Sequence, residues 1–264
     1  MLLVASLVVL SSCAKAECKA NSDCLSKQCT LSKCENKKCT YALQRDCCGN
    51  GIKDAAEDGK PGSQCTCPAD YGKCEGKAKV KTGSRVEDAA YVHYYCSRDS
   101  KCILGVESKD ISPQNFLDPI SLGYFKASSV LRYNKPFDIG KDSFELKITL
   151  DDTNKYLVFP IRLTNVKILF SGESSRSELL IAEASQDTAI NNIGDTVAIS
   201  VPLNLDYKPL EAEESGSIRY SIDYTYTKKI PGGKAPDGTT LYTEEVAREK
   251  FNSPSKQVLF VKSG

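Results

Sequence analysis

The clearest pattern in the chain is a run in which Ile218, Tyr220, Ile222, Tyr224 and Tyr226 alternate with Arg219, Ser221, Asp223, Thr225 and Thr227. An apolar period of two over ten residues predicts a strand with one buried face and one wet face. Shorter β-prone runs precede and follow it, at 129–133, 143–150, 156–163, 166–170, 178–184, 196–205 and 257–262. Turn clusters such as Asp151-Asp152-Thr153-Asn154 and Asn191-Asn192-Ile193-Gly194-Asp195 separate them. Seven or eight short antiparallel strands over residues 125–264 predict a mainly β protein whose C-terminal part is a β-sandwich. Between 230 and 255 a Gly/Pro-rich loop and a short helix at 243–250 are expected to interrupt the path to the last strand, an insertion of the kind where sandwiches place function.

Upstream the pattern changes. Residues 17–110 are rich in Lys, Asp, Ser and Gly, with few large aliphatics, and this half cannot bury enough apolar surface to offset its chain entropy. It holds Cys18, Cys24, Cys29, Cys34, Cys39, Cys47, Cys48, Cys65, Cys67, Cys74, Cys96 and Cys102, all the cysteines of the chain except Cys13. Structural zinc would need thiolates spaced C-x-x-C and usually histidines. That spacing is absent and His93 is the only histidine, so six disulfides are expected, in an oxidising compartment. Their connectivity is not readable from the spacing. The run 89–96 predicts one strand of a hairpin with 101–106, and His93 within it is read as structural. Pro113 and Pro119 make 111–124 the expected linker between the halves.

The apolar run from Leu2 to Leu10 is too short to span a bilayer core of about 30 Å as a helix and reads as the h-region of a signal peptide over residues 1–16. Leu10-Ser11-Ser12-Cys13 resembles a bacterial or archaeal lipobox, in which Cys13 would become the acylated N-terminus; Ala14-Lys15-Ala16 offers cleavage before Glu17 instead. Either outcome removes Cys13 from the disulfide pool and places the chain outside the cell or on its surface, touching membrane only through the lipid.

The stretch Cys48-Gly49-Asn50-Gly51 to Asp54 and Glu57, followed by Cys67-Pro68-Ala69-Asp70-Tyr71-Gly72-Lys73-Cys74, resembles the C-G-N-G-x-x-E-x-x-E and C-P-x-D-x-G-x-C pattern of cysteine-rich modules in uncharacterised secreted and surface proteins of bacteria and archaea. The resemblance covers about 30 residues, departs from the common version at Asp54, and implies location more than activity. The runs 134–140 and 193–203 in turn resemble the Ig-like, CARDB-type domains of archaeal surface proteins, implying an Ig-like antiparallel sandwich.

Candidate chemistry is sparse. Asn50, Asp54, Glu57 and Asp58 place hard oxygen ligands in one glycine-bounded loop, a tentative calcium site whose spacing is not that of an EF-hand. Otherwise no cofactor is expected. Lys73, Lys77, Lys79, Lys81 and Arg85 form a basic cluster, but a net charge of +1 and the lack of interleaved aromatics argue against nucleic acid and for a solvated face. The nucleophile-elbow, zincin, P-loop and dinucleotide fingerprints are all missing. The expectation is a non-enzymatic, surface-anchored or secreted binding or structural protein whose partner is another protein or a surface polymer. A secreted inhibitor or ligand module acting through the cysteine-rich half is the alternative. Because a carboxylate pair needs no sequence signature, an extracellular hydrolase is a third reading.

Overall fold

The computed structural model describes residues 16–82, 84–173, 177–204, 207–209 and 211–262; the expected leader and Cys13 lie outside the described residues. The described residues form two compact units, one of 16–74 together with 96–102, the other drawn from 75–95 and 103–262.

In the first unit, β1 (Thr30–Glu35) and β2 (Lys38–Leu43) form an antiparallel hairpin. Its turn residues Asn36 and Lys37 both take positive φ, matching the right-handed twist of a tight hairpin. A 3-10 turn at Asn21–Asp23, a minimal second hairpin, β3 (Ala56–Glu57) and β4 (Lys60–Pro61), and one helical turn, α1 (Pro68–Tyr71), make up the other regular structure among its described residues. The buried apolar residues described here are Cys18, Cys24, Cys29 and Cys67, so the disulfide sulfurs are the core. All twelve cysteines pair: Cys18–Cys34, Cys24–Cys39, Cys29–Cys47, Cys48–Cys67, Cys65–Cys96 and Cys74–Cys102. The sequence separations run from 15 to 31. Closing loops of this size is worth about 3 kcal/mol each in the chain-entropy account, which supplies what the missing aliphatics do not.

The second unit opens with a three-stranded sheet of β5 (Lys77–Thr82), β6 (Arg85–Cys96) and β7 (Cys102–Gly105). Sequence composition groups 75–95 and 103–110 with the cysteines, whereas by compactness they belong to the β-rich unit. The reason is packing: Ala89 and Val92 bury against Leu259 and Val261 of the last strand.

The sandwich follows as β8 (Ser112–Ser121), β9 (Phe125–Lys135), β10 (Phe137–Asp138), β11 (Phe144–Thr153), β12 (Leu157–Gly172), β13 (Leu179–Ile190), β14 (Thr196–Val201), β15 (Glu213–Lys234), β16 (Thr240–Asn252) and β17 (Lys256–Val261). One sheet has the order β14-β11-β9-β8. The other runs β10-β17-β15-β12-β13, with β16 also on β15. Their facing sides share one core, in which Leu131, Phe144 and Leu146 of the first sheet meet Ile168, Tyr220 and Phe260 of the second. On β15 the buried apolar set is Ile218, Tyr220, Ile222, Tyr224 and Tyr226, the face that the alternation marks out, while on the opposite face Ser221 is buried as well and Arg219, Asp223, Thr225 and Thr227 are half-buried rather than fully wet.

Two sequence expectations are corrected. The linker at 111–124 is largely strand β8, paired with β9 from Ser112↔Lys135 to Ser121↔Lys126. As an edge strand it tolerates Pro113 and Pro119, which central strands exclude. The helix at 243–250 is strand β16, paired with β15 from Ser221↔Asn252 to Lys234↔Thr240, so that 230–255 is mostly a hairpin rather than an inserted loop and helix. Its three glutamates with Ala247, Arg248 and Lys250 favour helix locally, and strand pairing overrides that preference.

Candidate functional site

β15 keeps β12 as a neighbour only as far as the Lys228↔Leu157 pair. Beyond it, pairing with β16 continues alone through Ile230↔Thr243, Pro231↔Tyr242 and Gly233↔Leu241. The hairpin therefore runs past the end of its sheet as a two-stranded ribbon. At the tip, Gly238 donates its N–H to Ala235 O, and Asp237 Oδ1 accepts the N–H of Thr239 at 2.9 Å.

Isolated ribbons of two strands are marginal in water, so the base must be fixed elsewhere. It is fixed by Glu249 on β16, whose Oε2 and Oε1 accept the hydroxyls of Tyr224 and Tyr226 at 3.0 and 2.8 Å. Burial, reinforced by this carboxylate, pushes both phenols well above the ordinary tyrosine range, so both stay donors. Lys228 pairs with Glu245 at 3.2 Å.

Further out the ribbon carries Leu241 and Tyr242, 53% and 44% exposed, and just inside its base, opposite Thr227, lies Val246, 65% exposed. Tyr242 and Val246 fall on one face by the two-residue period of a strand. Tyr156 joins them there, its ring 5.6 Å from that of Tyr242. The hydrogen bond from Tyr242, with help from Lys155, holds the Tyr156 hydroxyl below its ordinary range and raises Tyr242 in turn. Among the described residues β16 pairs only with β15, so the opposite backbone edge of this 13-residue strand is unpaired.

The residues marked for calcium hydrogen-bond within their own loop. Asn50 Oδ1 accepts the N–H of Ile52 at 2.6 Å, while its Nδ2 donates to Gln44 O and to Asp54 Oδ2. Asp54 Oδ2 also accepts the N–H of Asp46, and Glu57 Oε1 accepts that of Asp54. Asp58 is exposed. Among the described residues, the carboxylates of Asp54, Glu57 and Asp58 do not enter any cluster of three ligand atoms within 4.8 Å. Asn50, Asp54 and Glu57 are thus brought together as braces of their own loop, and the buried Glu57 Oε2 has no hydrogen-bond partner among the described residues.

Sequence reasoning quoted Asp70 but missed its role. Its carboxylate accepts the N–H groups of Gly49 and Gly51 at 2.6 and 2.8 Å. The two glycines have φ of 107° and 81°, a conformation other residues adopt only under strain, which accounts for the C-G-N-G spelling. His93 lies 2.8 Å from Tyr91 O and 3.4 Å from Glu107 Oε1, and its ring nitrogen groups with the carboxylates of Glu107 and Asp110 within 4.8 Å. In the basic cluster, Lys79 pairs with Asp88 on the solvent side.

The six disulfides mark an oxidising, extracellular environment. No helix among the described residues is long and apolar enough to cross a membrane. Compared with family models, curated proteins and solved structures, the chain gives no match.

Proposed function

We propose that this is a non-enzymatic binding protein, secreted or held on the cell surface through acylated Cys13, that grips another protein or a surface polymer with the β15–β16 ribbon. The observation that carries the reading is the ribbon itself, a strand pair prolonged beyond its sheet, with exposed Leu241 and Tyr242 on it, exposed Val246 at its base, and a backbone edge unpaired among the described residues. Apolar residues kept in water on a projecting edge are a standing aggregation risk unless a partner uses them. An extended segment of a protein partner would add to the free edge by backbone hydrogen bonds, and the Tyr156–Tyr242–Val246 face would supply apolar contact. The resemblance to Ig-like surface domains and to secreted cysteine-rich modules supports the same reading.

The test uses the full chain, fluorescently labelled, on intact cells of the source organism. Leu241→Asp with Val246→Asp alters only exposed positions, where substitutions usually change stability by about 0.5 kcal/mol or less, and should abolish cell binding. Pretreating the cells with protease should remove binding if the partner is a protein and spare it if the partner is a polymer. Undiminished binding by the double variant would overturn the ribbon as the site.

A further inference from the structure

We propose that Lys256 and Asp118 condense into an amide, so that a covalent isopeptide bond joins the first and last strands of the sandwich and ties its two sheets together. Asp118 lies on β8, the edge strand of one sheet, and Lys256 opens β17 in the other. Lys256 Nζ stands 2.6 Å from Asp118 Oδ2, with the two side chains 4% and 9% exposed.

As an ion pair this arrangement is hard to justify. Removing two charges from water costs several kcal/mol per ion, and apolar residues of similar volume commonly do as well or better in such a position. The surroundings are nearly dry and aromatic: the rings of Tyr220 and Phe116 lie 5.3 and 5.8 Å from Nζ. Pro254 O accepts a hydrogen bond from Nζ at 3.1 Å and helps hold the amine against the carboxyl group. Reacting groups held in a near-attack arrangement, at about 3–3.5 Å, gain much of the barrier that free reactants would lose to orientation.

The hydrogen-bond donors stand where the reaction needs them. Tyr220 Oη donates to Asp118 Oδ2 at 2.7 Å, and Ser129 Oγ lies 2.6 Å from that hydroxyl. Tyr220 and Ser129 are themselves fully buried. Burial keeps the Tyr220 phenol protonated, and so a donor. Ser129 Oγ also donates to the backbone oxygen of Asp118.

The step balances within the pair. A proton passes from the Lys256 ammonium to the Asp118 carboxylate, leaving an amine and a carboxylic acid. The nitrogen lone pair attacks Cγ and the C–N bond forms. A second proton passes from nitrogen to Oδ2, the Cγ–Oδ2 bond breaks, and Oδ2 departs as water. Tyr220 is a positioning and stabilising donor to the departing oxygen. The product is a neutral amide, and the burden of two desolvated charges is gone.

Peptide mapping of the reduced and alkylated full-length protein tests this. The expected result is a branched peptide joining the Asp118 and Lys256 segments, lighter than the two linear peptides by one water. Lys256→Arg and Asp118→Ala should each abolish it, and Tyr220→Phe should lower the cross-linked fraction at early times after synthesis. Recovery of both segments as linear peptides from the wild-type protein would overturn the proposal, as would a water loss that maps to any other position. Because the decisive reading is on the wild-type chain, poor folding of a variant leaves the outcome clear.

Discussion

Glu213, at the start of β15, accepts the backbone N–H of Val92 on β6 at 2.7 Å, and the same carboxylate accepts those of Tyr91 and Ala90 at 2.6 and 2.9 Å. Three successive amides converge on one side chain 121 to 123 residues away in sequence. Hydrogen bonds to a charged acceptor are worth about 1.5–3 kcal/mol each, and stranded buried donors cost a similar amount. Glu213→Ala should therefore destabilise the second unit by about 3 kcal/mol or more, and Glu213→Gln, which keeps one acceptor oxygen, by less. Denaturant unfolding measures the loss, and hydrogen exchange should show the amides of residues 90–92 losing protection first.

The alternation on β15 makes a paired prediction. Tyr224 is 3% exposed and its ring meets Phe125 edge-on at 5.5 Å, whereas Thr225 lies on the opposite face. Tyr224→Ala should cost about 3–5 kcal/mol, the range for deleting a buried aromatic side chain. Thr225→Ala should change stability by about 0.5 kcal/mol or less. A thermal melt of both variants reads the register of the strand directly, since a one-residue slip would exchange the two results.

Alkaline pH should unfold the sandwich steeply. Burial raises the phenols of Tyr133, Tyr220, Tyr224 and Tyr226 above the ordinary value of about 10 that applies in the unfolded chain. The folded state therefore holds protons that the unfolded state releases. The stability this represents is complete below about pH 10 and is lost as pH rises from there toward the folded values, by about 1.4 kcal/mol per pH unit for each tyrosine. Phenolate absorbance and circular dichroism followed together should change at the same pH, because the buried phenols ionise on unfolding.

The disulfides predict separable units. Without reductant, alkylation should label none of the twelve cysteines from Cys18 to Cys102. With reductant the first unit, which has sulfur in place of an aliphatic core, should lose its near-ultraviolet and protease-resistance signals while the second keeps its own. Mass spectrometry of the labelled chain against limited proteolysis checks both halves of the statement.

What the sequence revealed follows from where the physical signal sits. Residues 218–226 were legible because a half-buried strand writes its burial into the local alternation. The need for six disulfides was legible from composition, but their pairing was not, because spacing does not specify which sulfurs meet. β16 was misread because both its faces are largely exposed and its Glu, Lys and Arg satisfy helical preference equally well. β8 was hidden by prolines that an edge position excuses. The contact of Asp118 with Tyr220, 102 residues apart, leaves no local trace at all. Among the loop residues grouped as oxygen ligands, Asn50, Asp54 and Glu57 make hydrogen bonds to backbone that a residue list does not show, and Asp58 stays exposed.

The bonds Cys65–Cys96 and Cys74–Cys102 each join a cysteine that precedes the hairpin of β5 and β6 to one at or beyond its end. When the chain is pulled from its two ends, as a tethered protein is by flow or by a partner moving away, tension reaching Cys65 or Cys74 crosses through sulfur to Cys96 or Cys102. Residues 75–95 then lie outside the load path. The first element to feel a pull at the C-terminal side of the bridges is β7, which passes it to β6 only through the sheet the two strands share.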